Sequence, residues 1–200
     1  VENYFEKRKT QAPRTKPPHV PTNRARSATA PFVVRAVPGD RHSGRLTFGP
    51  LSFRCALGRS GIVSRKREGD GGTPLGSHAI LWGYRRADRR WRQSGPLPLR
   101  PITVDDAWCD APGHPAYNRP VRLPFSASHE QMQRADRLYD CCIVLDYNFN
   151  TRIRQAGSAI FLHLAKPGYP PTQGCVALAP RDMARLLPYL HTGRRLIVRR

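Results

Sequence analysis

Chemistry in this 200-residue chain gathers in Gly157–Pro180, GSAIFLHLAKPGYPPTQGCVALAP, where an imidazole (His163) and a thiol (Cys175) flank a Gly/Pro-rich loop. A thiol needs a nearby base to become a nucleophile, and histidine is the usual one. Gly174, just before the thiol, lets backbone N–H groups turn toward the atom the sulfur attacks, as an oxyanion hole requires. Each residue alone has a plainer reading. Cysteine at the head of a strand is usually a small hydrophobe, and a strand histidine is often only hydrogen-bonded in place. Taken together with the glycine and the loop, they point to a cysteine nucleophile with its histidine.

These side chains have to be positioned by the elements around them. Ser158 to Leu164 reads as a strand in which Ile160, Leu162 and Leu164 alternate with Ala159, Phe161 and His163, and Val176 to Ala179 reads as a second. Pro180 suits the first position of a helix whose face carries Met183, Leu186, Leu187 and Leu190, and Pro188 should end or kink it. RLIVR at 195–199 closes the chain as a strand. Upstream, FVVRAV (32–37), RLTF (45–48) and LSFRCAL (51–57) are separated by Gly/Pro turns and suggest an antiparallel meander. A Gly-rich loop, Arg65 to Gly76, leads into SHAILWGY (77–84). Residues 85–125 have the irregular, Arg-, Pro- and Trp-rich character of a binding loop. Their carboxylates lack the spacing of a calcium loop, so no metal is assigned. Ser128 and Gln131 form a capping-box pattern, and Met132, Ala135, Leu138 and Tyr139 share a helical face, which predicts a helix over 126–140. His129 near its start and Asp140 at its end are candidate supports for the pocket. CCIVLDYNF (141–149) reads as a buried strand, on which Cys141 and Cys142 point to opposite faces, so that at most one faces the core.

Composition bounds the partners. Net charge is +20 and arginine supplies 29 of the 34 basic residues, so the field favours polyanions: nucleic acid, anionic membrane or an acidic wall polymer. The arginines are scattered and no helix-turn-helix, zinc-finger or RNP-type signature is present, so no specific nucleic-acid partner is expected. Residues 1–31 carry seven Lys/Arg against two Glu, with five prolines, and read as a basic flexible tail preceding a single domain over 32–200. No run of 18 apolar residues predicts a membrane span. No apolar secretory stretch is visible, but the chain begins at Val1, so a missing leader says little about compartment. The five cysteines have no CxxC spacing; their odd number fits one free thiol plus up to two disulfides, and equally a fully reduced set.

The order of these features resembles the L,D-transpeptidase catalytic domain (YkuD-type) family of bacterial cell-wall enzymes. The family's hallmark is a histidine, a loop and Ser/Thr-His-Gly-Cys; Thr172, Gly174, Cys175 and His163 match it. Gly69-Asp70-Gly71 with Thr73-Pro74-Leu75-Gly76 matches the preceding G-D-x-x-T-P-x-G element. Three departures mark a divergent branch: Gln173 replaces the usual histidine, only eight residues separate His163 from Thr172, and Ala177 stands where Arg or Asn is common.

The resemblance implies a mainly β (α+β) fold, a mixed β-sandwich with one or two short helices packed on it. It also implies a cofactor-free acyl transfer. His163 would hold Cys175 as thiolate, which attacks diaminopimelate at position three of a peptidoglycan stem tetrapeptide and releases D-Ala. An acceptor amine, of diaminopimelate or of L-Ala, then resolves the thioester. N–H groups at Gly174 and Cys175 would stabilise the oxyanion by roughly 3–4 kcal/mol per donor. Thr172, Gln173, Tyr169 and His129 would contact substrate. The expected partners are stem peptides and anionic wall polymer, the expected state a monomer, the expected place the periplasm or cell envelope, and carbapenem β-lactams would acylate the thiol. Water as acceptor would make the chain a carboxypeptidase, and a silent site would make it a binding module; the sequence separates neither from transfer.

Overall fold

The computed structural model describes residues 30–89, 91 and 94–200; nearly all of the segment expected as a basic tail lies outside them. Strands β1 (Phe32–Val37), β2 (Asp40–Phe48) and β3 (Leu51–Ala56) form the expected antiparallel meander. Two short strands, β4 (Ile62–Val63) and β5 (Thr73–Pro74), pair across the neck of the Gly-rich loop, and β6 (Gly76–Arg85) runs on from it. After β7 (Leu99–Pro101), strands β8 (Asp106–Cys109), β9 (Arg119–Arg122) and β10 (His129–Gln131) make a separate three-stranded sheet in the order β10-β8-β9. The chain then supplies β11 (Cys141–Leu145), β12 (Phe161–Leu164), β13 (Val176–Leu178), helix α1 (Pro180–Leu186) with a 3₁₀ turn at Leu187–Tyr189, and β14 (Arg195–Arg199).

The main sheet is mixed and nine-stranded, in the order β11-β12-β13-β3-β2-β1-β14-β6-β7; β11 also pairs with β6, so the sheet closes on itself. Among the described residues the architecture is mainly β with one short α-helix, as expected. Alternation along β11 explains how the closure is packed. Cys141, Ile143 and Leu145 join the cluster built around Phe32, Leu46 and Phe53, whereas Cys142 and Val144 join a second cluster with Trp108, Tyr139 and Phe161. Both faces of this strand are therefore covered, and both cysteines are fully buried. That corrects the expectation that at most one of them faces a core: the small sheet and the 132–139 segment lie over the face that would otherwise meet water. All five cysteines are free thiols.

Helix α1 starts where Pro180 predicts, with Asp182 in its first turn and Arg185 in its last, and buries Met183 and Leu186. Pro188 ends the α-helical bonding, and the chain tightens into the 3₁₀ turn that buries Leu187.

The helix expected over 126–140 does not form. His129, Glu130 and Gln131 pair instead with Cys109, Trp108 and Ala107 as β10, and the Met132 N–H donates to the Asp106 carbonyl. Ladder partners from β8 take the backbone groups a helix would have satisfied internally, while Met132 and Tyr139 still reach the core. Long-range pairing thus overrides a local periodicity of the right spacing. His129 and Asp140 are consequently not the two ends of one helix.

Candidate active site

Strands β12 and β13 run parallel and in contact, with Leu162 opposite Val176 and His163 opposite Ala177. Because side chains alternate across a strand, Phe161, His163, Cys175 and Ala177 share one face. His163, Cys175 and Ala177 line the same cavity, which has a volume of about 560 Å³. The sheet register, rather than the intervening loop, therefore brings the imidazole and the thiol to one surface. Ala177 offers no side chain beyond Cβ opposite His163, so the departure at this position leaves space beside the imidazole.

The nucleophile turn is braced from several sides. Thr172 Oγ1 donates to the Cys175 carbonyl (2.7 Å) and accepts the Gly174 N–H (3.1 Å). The Thr172 backbone is held in turn by Leu57 and Arg59. Thr172 thus shapes the turn, and in this resting geometry the Gly174 N–H is engaged by its hydroxyl rather than facing a substrate. Gly174 itself has φ +132°, which L side chains rarely adopt, and a Cβ here would sit 2.7 Å from the Gly72 carbonyl.

Cys175 Sγ donates to the Ala159 carbonyl (3.2 Å) and accepts the Phe161 N–H (3.3 Å). A carbonyl oxygen can only accept, so the sulfur in this arrangement carries its proton. Burial pushes the Cys175 thiol up to about 12, against the lowering effect of the Phe161 hydrogen bond. Burial also pulls His163 down to about 4. In this geometry burial disfavours both charges and so favours a resting neutral pair over the thiolate that the resemblance implies. His163 Nδ1 lies 2.8 Å from the Leu164 carbonyl. That contact requires the proton on Nδ1 and leaves Nε2 as the acceptor. A ring so fixed, stacked edge-on against Tyr139, is equipped to take a proton when a substrate arrives.

The Ala159 carbonyl is aimed by a residue that sequence reasoning assigned no role. Ala159 adopts φ +51°, unusual for alanine, and its N–H donates to Asn118 Oδ1 (3.0 Å), which also accepts the indole N–H of the buried Trp108 (2.9 Å). Asn118 falls within the 85–125 stretch expected as a binding loop; only the fold shows that it supports the thiol's acceptor.

A second support comes from the Gly-rich loop. The Lys66 side chain is 3 % exposed, and its ammonium meets Asp70 at 2.5 Å and the Arg67 carbonyl at 2.7 Å. Asp70 closes the loop by accepting the N–H groups of Arg67 and Gly72. The Lys66 stem lies against Gly157 and Gly174, so the loop and the nucleophile turn rest on one ion pair whose lysine is buried and whose aspartate is partly exposed. Removing one partner strands the other's charge. Lys66→Met is expected to lower stability by about 1–2 kcal/mol, since Asp70 stays partly solvated and keeps two backbone N–H bonds, read as a shift of the urea midpoint; a change below about 0.5 kcal/mol would count against the strut.

Of the remaining site expectations, Gln173 lines the cavity with its side chain exposed, as a substrate contact would. Tyr169 does not line this cavity: it borders a neighbouring pocket of about 360 Å³ and carries the Arg54 guanidinium over its ring. His129 is also absent from the cavity wall, its Nδ1 bonded to the Ala127 carbonyl and its ring against Phe125. Asp140 is buried in an ion pair with Arg89. No grouping of three His, Cys, Asp or Glu among the described residues suits a metal.

A closed mixed sheet with a cysteine and a histidine facing one cavity from adjacent parallel strands defines the class: a β-rich domain built to present a thiol. Residues 42–198 match the L,D-transpeptidase catalytic domain family (YkuD), and the chain belongs to that family. No curated protein is similar enough to match. Among solved structures, Bdellovibrio bacteriovorus Bd1075 is similar at 15% identity and TM-score 0.41, over 85% of this chain and 48% of that one. Mycobacterium tuberculosis L,D-transpeptidase 1 is similar at 12% and 0.38, over 84% and 62%. An L,D-transpeptidase from Mycobacterium smegmatis is similar at 14% and 0.41, over 86% and 59%. The chain thus spans less than two thirds of the length of each.

Proposed function

We propose that the chain is a peptidoglycan L,D-transpeptidase of a divergent branch, working in the periplasm or cell envelope. The observation that carries this reading is Cys175 and His163 facing one cavity from adjacent strands, within a family of L,D-transpeptidase catalytic domains. In the first half-reaction Sγ attacks the carbonyl carbon of diaminopimelate at position three of a stem tetrapeptide. His163 Nε2 accepts the thiol proton as the C–S bond forms, and passes it to the departing D-Ala nitrogen when the C–N bond breaks. In the second, an acceptor amine attacks the thioester, gives a proton to the same imidazole, and the sulfur leaves with it as a thiol.

The resting neutral pair supports concerted proton transfer over attack by a pre-formed thiolate. Because the Gly174 N–H is bonded to Thr172, the N–H of Cys175 is the donor this reading gives to the oxyanion. Thr172 and Gln173 border the scissile bond. No cofactor takes part. The basic surface would hold an anionic wall polymer near the cavity.

The test is mass spectrometry of purified disaccharide-tetrapeptide after incubation with wild type and with Cys175→Ala. The expected result is a cross-linked dimer that disappears in the variant, with fragmentation identifying the acceptor amine. Tripeptide without dimer would make the chain a carboxypeptidase. An identical outcome for both proteins would remove the enzyme reading and leave a wall-binding module.

A further inference from the structure

The chain has 34 basic residues against 14 acidic ones, so an acidic side chain without a basic partner is unexpected. Among the described residues every carboxylate except Glu68, Asp110 and Asp146 lies within 4.0 Å of a Lys, Arg or His nitrogen. Asp146 is away from the cavity and caps the Ala79 N–H at 2.7 Å. The other two both line the cavity that holds Cys175 and His163.

Neither is an idle surface charge. Glu68 Oε2 accepts the hydroxyls of Tyr117 and Ser158, two neutral donors that orient the carboxylate without neutralising it. Its backbone is tied to Gln155, so the group is fixed in place. Asp110 Oδ1 is buried and has no hydrogen-bond partner. Buried oxygens left this way are uncommon, because an unpaired acceptor costs its full hydration. The cavity's own cations do not compensate: Arg134 is shared between Glu130 and Asp136, and Lys166 faces Asp136. Among the described residues, two of the three carboxylates without a basic partner thus line the nucleophile's cavity, and one of them offers an acceptor that lacks a donor.

We propose that Glu68 and Asp110 form a binding site for a substrate ammonium group in the cavity of Cys175. This rests on the acyl-transfer reading above and deepens it: the peptide bound beside the thiol carries a primary amine that is recognised as a cation. Such an ammonium supplies up to three N–H donors, enough for Asp110 and for Glu68 Oε1. The amine can belong to the diaminopimelate side chain or to a free peptide N-terminus.

Binding to the full chain carrying Cys175→Ala separates these sources and needs no turnover. The probes are disaccharide-tetrapeptide, whose free amine is on diaminopimelate, and the tetrapeptide alone, which adds an N-terminal amine; each is used native and N-acetylated, with calorimetry as the readout. Acetylation is expected to weaken binding at least tenfold. That loss is expected to shrink to within twofold when Glu68→Gln and Asp110→Asn are added. Glu68→Asp, which keeps the charge, is expected to restore part of the preference, which a merely structural role would not. If only the free tetrapeptide shows the effect, the ammonium is the N-terminal one; if both do, it is that of diaminopimelate. Equal affinity for native and acetylated probes, no binding of either, or an acetylation penalty unchanged by the two substitutions would overturn the proposal. Catalysis is judged separately: a wild type that binds with this preference but makes no Cys175-dependent product sinks the transpeptidase reading alone.

Discussion

Gly174→Ala is expected to cut kcat/KM by at least a hundredfold while the protein still folds. Two independent costs fall on the new methyl group. The backbone at φ +132° is one that alanine rarely adopts, worth about 1–3 kcal/mol. The methyl carbon would also lie 2.7 Å from the Gly72 carbonyl and 3.2 Å from Ile160 Cδ1, and the first is backbone that cannot swing aside. Gly72 is fixed because its N–H is held by Asp70. The turn must therefore move, and Cys175, covalently next in line, moves with it. A displacement approaching 1 Å at a nucleophile is enough to cost on the order of a hundredfold. Gly168→Ala is the comparison, since its φ is also positive at +81° but nothing lies within 4 Å of a Cβ there. That variant should lose about 1 kcal/mol of stability and keep activity within a few-fold. Assaying turnover and urea midpoint for both separates strain from displacement. Equal activity of the two variants would mean that the turn does not set the sulfur's position.

The same turn shows why some of the protein was readable in the sequence and some was not. Thr172, Gly174 and Cys175 are adjacent in the chain, and His163 sits on a strand whose alternation is plain, so the pair could be picked out before any fold was known. The strands from Phe32 onward, helix α1 and β14 were legible for a related reason: their apolar periodicity and their Gly/Pro punctuation are local. What holds the site together is not local. Asn118 reaches Ala159, Glu68 reaches Tyr117 and Ser158, and Lys66 packs under Gly157 and Gly174. None of these pairings has a spacing rule, because each is created by the sheet order. The 126–140 segment failed in the opposite sense. Its apolar spacing was helical, yet β8 offered ladder partners, and a marginal local preference yields to them. The charge states of Cys175 and His163 were also beyond the sequence, since burial and not residue type decides them.

Iodoacetamide alkylation of Cys175 is expected to accelerate about tenfold per pH unit from pH 6 to pH 10, with no plateau near neutrality. With the thiol raised to about 12, the thiolate fraction at pH 7 is on the order of 10⁻⁵. Cys175 should still react ahead of the other four, because it retains 7% exposure while they have none. Selectivity would then report access, and the slope would report the neutral pair; a plateau around pH 7 would restore a standing thiolate and overturn that assignment. The partner imidazole leaves a second signature at acid pH. Folded His163 sits near 4 and an unfolded histidine near 6.5, so between these values the unfolded chain binds more protons. Stability therefore rises with pH across that window and is lost as pH falls through it, by about 3 kcal/mol in full. His78, also lowered by burial, adds to the same direction. His163→Gln should shallow the decline between pH 6.5 and pH 4 by that amount while abolishing turnover. A variant that declines as steeply as wild type would mean that burial does not lower His163 in the folded protein, and the assignment of its depressed proton affinity would fall.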